Sequence, residues 1–197
     1  MRRLKPPVSR ADSGATLIEA ALVLPIILFL IIGTVEIGLA FKNYLTAGAI
    51  SREGARIAAL AGDDAEADCA ILRGIGELAT ASDLAKIDQI VVFKASPGTG
   101  NSTGTENVAV YVGGDPSDCE YQNPDGSESW QISPKGYDPT SRNTIVGNDA
   151  SDPDLELVGV QVKWTHEWLT GLPPFNGSFL IDEQTITRVE PEAFDQS

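Results

Sequence analysis

The sequence predicts an α+β protein, with a long N-terminal transmembrane helix followed by a domain holding a second helix and an antiparallel sheet of about four strands. Three observations carry that expectation. Apolar residues concentrate between Ala15 and Phe41, with no charged residue from Ala20 to Val35. Apolar side chains return at helical spacing after Asp63, and four later segments show strand-type runs or alternation. Setting a membrane segment aside, the rest of the 197-residue chain suits one domain.

Residues 1–14, MRRLKPPVSRADSG, form a basic leader. Arg2, Arg3, Lys5 and Arg10 against Asp12 give a net charge of +3; the whole chain carries −14, so the remainder carries −17. The leader has no apolar core of its own, so it is not by itself a secretory signal peptide. Its charges are expected to hold the N-terminus in the cytoplasm and to place the acidic remainder across the membrane. That acidity opposes nucleic-acid binding, which draws on Lys and Arg for phosphate contacts.

One helix is expected from Ala15 to about Ala61, crossing the membrane over about residues 17–40. At ~1.5 Å per residue, about 20 residues cross a hydrocarbon core of ~30 Å. Pro25 removes a backbone hydrogen bond and predicts a kink. Gly33 and Gly38 permit close approach of another element. Glu19 and Glu36 are costly if they face lipid; Glu36, the second acid of the membrane segment, suits a place at its outer interface equally. Beyond Phe41, the residues Tyr44, Leu45, Ala49, Ile50, Ile57 and Leu60 recur at three-to-four spacing and are expected to pack on the domain. Ala47, Gly48, Gly54 and Ala55 are left for a second partner helix, and Gly62 is the expected stop.

Residues 62–197 form the expected exported domain. A helix begins at Asp63–Glu66, where acids suit a helix N-terminus, with Ile71, Leu72, Ile75 and Leu78 as its apolar face. Strands are expected over Gln89–Ala95, Asn107–Val112 (Val108, Val110 and Val112 on one face), Leu155–Leu169 and Phe179–Glu190. Ser96–Glu106 reads as a loop. So does the long stretch 113–154, dense in turn residues; a loop of that length is often functional. Trp130, Tyr121 and Tyr137 within it suit an exposed contact surface and burial under the loop equally.

In an exported domain the two cysteines, Cys69 and Cys119, are expected to form a disulfide. Asp115, Asp118, Asn123, Asp125, Asp149, Asp152 and Asp154 are oxygen donors of the calcium-binding type, with Asp125, Asp152 and Asp154 the weak candidates retained. None matches an EF-hand spacing, so solvated turns are the expectation. His166, the lone histidine, reads as a packing residue beside Trp164 and Trp168. No catalytic constellation, metal centre or cofactor is expected.

Gly14-Ala15-Thr16-Leu17-Ile18-Glu19 resembles the processing site of type IV pilin-like precursors. Glu19-Ala20-Ala21-Leu22-Val23-Leu24-Pro25, Gly33-Thr34-Val35-Glu36-Ile37-Gly38 and Ser51-Arg52-Glu53-Gly54-Ala55-Arg56 narrow the match. Together they resemble the TadE-like family of tight-adherence pilus assembly proteins. The resemblance implies removal of residues 1–14 by a prepilin peptidase cutting between Gly14 and Ala15. It implies pairing of Glu19 with the new Ala15 amine of a neighbouring subunit, which offsets the cost of a carboxylate in a helical core. The implied partners are that peptidase, other pilins and pseudopilins, the pilus assembly platform and membrane lipid. Tight-adherence major pilins are very short, so the large domain points to a minor or assembly role. The competing reading is a signal-anchored extracytoplasmic binding module or adhesin that uses loop 113–154.

Overall fold

A computed structural model describes residues 10–122, 124–144 and 155–191, with side chains from Gly14 onward. Helix α1 runs unbroken from Arg10 to Ala61, starting before the expected Ala15, and ends where Gly62 takes φ +55, a conformation glycine adopts freely. Helix α2 is Ala67–Leu78, and a single turn, α3, is Ala81–Leu84. The strands are β1 Ile87–Ala95, β2 Ser102–Tyr111, β3 Trp130–Lys135, β4 Leu157–Glu167 and β5 Ser178–Arg188. They form one antiparallel sheet in the order β3-β2-β1-β4-β5.

The sheet has five strands where the sequence suggests about four. The additional strand, β3, lies inside the stretch expected to be a loop. Its sequence, Trp-Gln-Ile-Ser-Pro-Lys, argues against a strand because proline cannot donate to a ladder. β3 is an edge strand, where proline is tolerated. Loop 113–154 is correspondingly less free than its composition suggests. Cys119 is bonded to Cys69 of α2, with 5.5 Å between Cα atoms. Arg73 donates to the Ser117 carbonyl at 3.1 Å, Glu66 accepts from the Tyr121 and Gln122 amides, each at 3.1 Å, and Trp130 Nε1 donates to the Pro116 carbonyl at 2.9 Å. Trp130 and Tyr137 are buried. Residues 145–154 lie outside the described residues.

The core lies between the helices and one sheet face. Ile50, Ile71, Leu72 and Ile75 meet Ile90, Val92, Val158, Val160 and Trp164. The inward face of β4 carries Val158, Val160, Val162 and Trp164, as the strand's alternation predicts. That of β2 is reversed: Asn107 and Ala109 face the helices, while Val110 and Val112 are exposed. The reason is polar. Asn107 Nδ2 donates to Asp68 Oδ2 and to the Tyr137 carbonyl, both at 2.6 Å, and Asp68 pairs with buried Arg142. A buried amide needs such partners, and this network fixes the register that a valine count reads backwards.

The seating of α1 also differs from expectation. Tyr44, Leu45 and Leu60 are exposed, whereas Ala47, Ser51, Gly54, Ala55, Ala58 and Ala59 are buried. The small residues set aside for a partner helix are the ones that touch the domain. A methyl group at Gly54 would lie 2.9 Å from Val160 Cγ1 and 3.2 Å from Ile75 Cδ1, so the helix sits close to the sheet through small side chains, with Ile50 and Ile57 packed on the core as expected. Leu78, expected on the inner face of α2, is exposed at that helix's end.

Candidate functional site

The N-terminal part of α1 carries the residues singled out by sequence. Gly14, Ala15 and Glu19 are exposed on its first turns. Ala15 and Glu19 are four apart, hence on one helical face. Pro25 is inside the helix. The apolar side chains that follow, from Leu17 to Leu28, are exposed. This helix is long and apolar enough to cross a membrane, and none of its most apolar stretch is buried by the rest of the chain.

Contact with the domain begins below Glu36. Gly33 is buried, and a methyl group there would meet the Phe175 ring at 3.3 Å. Phe29 and Phe175 stack with ring centroids 6.4 Å apart. Glu36 itself is fully buried. Its carboxylate accepts the Leu169 amide at 2.9 Å, and the Thr170 amide and hydroxyl, both at 2.6 Å. The acid therefore faces neither lipid nor open water: it captures the turn after β4. Neither lipid nor the outer interface, the two placements expected for Glu36, anticipates this role. The available signal was the run Gly33, Glu36, Ala40, Asn43, Ala47, Ser51, Gly54 and Ala58, small or polar residues spaced three or four apart along one face.

Higher up the same stripe, Asn43 Nδ2 donates to His166 Nδ1 at 2.8 Å. His166 is buried against Trp168 and Phe179, with ring centroids 5.2 and 5.0 Å away. Burial holds its pKa below the usual imidazole value, and Lys86 adds to that while Glu36 opposes it. The next contacts are Ser51 Oγ to Thr185 Oγ1 at 3.0 Å and the Glu190 amide to the Ala59 carbonyl at 2.9 Å. The β4–β5 hairpin is thus fastened along α1 from Phe29 to Ala59.

The calcium candidates divide. Asp125 accepts the Ser127 amide at 2.8 Å, and its hydrogen bonds to Ser127 hold its carboxyl below the usual range. Asp115 is bonded in the same way by Ser117. Both are turn-closing side chains. Asn123, Asp149, Asp152 and Asp154 lie outside the described residues. Among the described residues, no three His, Cys, Asp or Glu side chains are grouped to hold a metal ion.

Comparison with curated proteins and with solved structures returned no match. Residues 14–56, from the glycine through the outer half of α1, match the model of the family described as TadE-like protein: the chain carries a TadE-like N-terminal segment.

Proposed function

We propose that the chain is a TadE-like pseudopilin, a minor pilin that acts in assembling or anchoring a tight-adherence type IV pilus. The observation that carries this reading is that the family match opens on Gly14 itself. There the helix presents Ala15 and Glu19 exposed, with nothing from the domain described against them. The protein is inserted with its N-terminus in the cytoplasm, the basic leader resisting translocation. A prepilin peptidase removes residues 1–14, and the new Ala15 amine pairs with Glu19 of a neighbouring subunit. The apolar face of α1 serves first lipid and then other pilin helices. Phe41, Tyr44 and Leu45 extend that exposed surface past the membrane, off the stripe of small residues that seats the domain. The partners are the peptidase, other pilins and pseudopilins and the assembly platform. The chain is a substrate of the peptidase and catalyses nothing itself.

The test is Gly14→Phe in cells that carry the peptidase. The variant should keep its leader and stay at precursor size while the parent is shortened. Equal shortening of both would remove the basis of the proposal.

A further inference from the structure

We propose that the turn joining β4 to β5, residues 168–177, is embedded in the lipid interface beside α1 and sets the depth of the helix in the membrane. This rests on reading α1 as a membrane anchor. α1 and β5 run in the same direction and touch at Phe29–Phe175 and again at Ser51–Thr185. The intervening helix, at ~1.5 Å per residue, and the intervening strand, at ~3.3 Å, both span about 33 Å. The hairpin therefore lies straight along the helix, and its turn is held at the level of Phe29 and Gly33. About 20 helical residues cross a hydrocarbon core, and counted from Ala15 they end near Thr34. Phe175 is thus packed on the part of α1 that lies in lipid, roughly 7 Å below its outer edge by helical rise. The span becomes about 15–34 rather than 17–40, with Glu36 just outside it.

The composition of the turn fits that depth. No charged residue occurs between Glu167 and Asp182, in a chain of net charge −14. Leu169, Leu172 and Leu180 are 72%, 54% and 56% exposed, and together with Trp168 and Phe175, stacked 5.2 Å apart, they continue the lipid-facing surface of α1. Tryptophan favours this level of a bilayer. Part of the turn's backbone is spared the cost that lipid places on unpaired donors. Pro173 and Pro174 have none, and the Leu169 and Thr170 amides are given to Glu36. Scattered exposed leucines alone would mean little; their attachment to the membrane helix is what selects lipid as the occupant.

The experiment uses the full chain in phosphatidylcholine–phosphatidylglycerol vesicles, with Cys69 and Cys119 left oxidised. An environment-sensitive fluorophore is attached in turn at Leu172→Cys, at Ile27→Cys on the helix, and at Thr99→Cys in the exposed β1–β2 turn at the other end of the sheet. Lipids carrying a quencher near the headgroup should dim the Leu172 site about twofold or more relative to the Thr99 site, and quenchers deep in the chains should dim Ile27 most. Dimming at Ile27 but not at Leu172, with Leu172 open to aqueous iodide, overturns the proposal and leaves the anchor standing. A Leu172 site shielded from both iodide and lipid quencher assigns the turn to another protein copy and also overturns it. No lipid quenching at either site removes the anchor reading itself.

Discussion

Replacing Glu36 with alanine should loosen the end of the β4–β5 hairpin without unfolding the domain. The carboxylate accepts two amides and a hydroxyl, from Leu169 and Thr170. Hydrogen bonds to a charged acceptor contribute about 1.5–3 kcal/mol each, and an orphaned buried donor costs about 1–3 kcal/mol. Leu169 stands 72% exposed, so water or headgroups recover part of that loss. A local cost of about 2–3 kcal/mol remains, which corresponds to a roughly 30- to 150-fold larger opening equilibrium. Amide hydrogen exchange, followed by mass spectrometry on the full chain in lipid nanodiscs, reads this directly. Exchange at residues 169–170 should accelerate by that factor, while β1 and the upper part of β4, which belong to the core, should be unchanged. Glu36→Gln keeps one acceptor oxygen and should fall between. Unchanged exchange at 169–170 in Glu36→Ala would refute the reasoning, because the turn would then be held by something other than this acid.

Other perturbations have equally definite outcomes. Asp68→Ala leaves buried Arg142 unpaired and removes an acceptor from Asn107; the domain, studied in the full chain, should lose about 3–5 kcal/mol in urea unfolding. Replacing Cys69 and Cys119 together by serine opens a link with sequence separation 50 and should cost up to about 4 kcal/mol, with faster proteolysis near residues 113–122 as the local sign. His166 is held neutral by burial, so the unfolded chain binds its proton more readily than the folded one. Stability from this site is therefore present above the ordinary histidine pKa of about 6.5 and declines as pH falls below it. Proton uptake also places a second donor against the Asn43 amide. His166→Gln should flatten that acid limb in thermal melts between about pH 7 and 5.

Much of this architecture is legible in the sequence because its signals are local. A charge-free apolar run specifies its own helix, Gly62 marks its end, and the valines of β4 alternate against a polar face. What is not legible depends on partners remote in sequence. β3 has weak strand chemistry and forms because an edge was available beside β2. Asn107 turns inward because Asp68 and the Tyr137 carbonyl are waiting for it, which sends the β2 valines outward. The small residues of α1 read as a helix-pairing stripe, yet small side chains serve equally to admit a helix onto a crowded sheet. Glu36 is the clearest case. A carboxylate near a membrane boundary has an obvious cost, and only the fold shows that two amides and a hydroxyl offset it.

The proposal that α1 is the processed helix of a pilin-like subunit, and not a permanent signal anchor, has a direct chemical readout. The N-terminal sequence and intact mass of the protein, recovered from membranes of cells with and without the prepilin peptidase, test it most directly. Ala15-Thr16-Leu17 is the expected mature N-terminus when the peptidase is present, and a chain that keeps residues 1–14 is expected when it is absent. A chain that keeps its leader in both would contradict it.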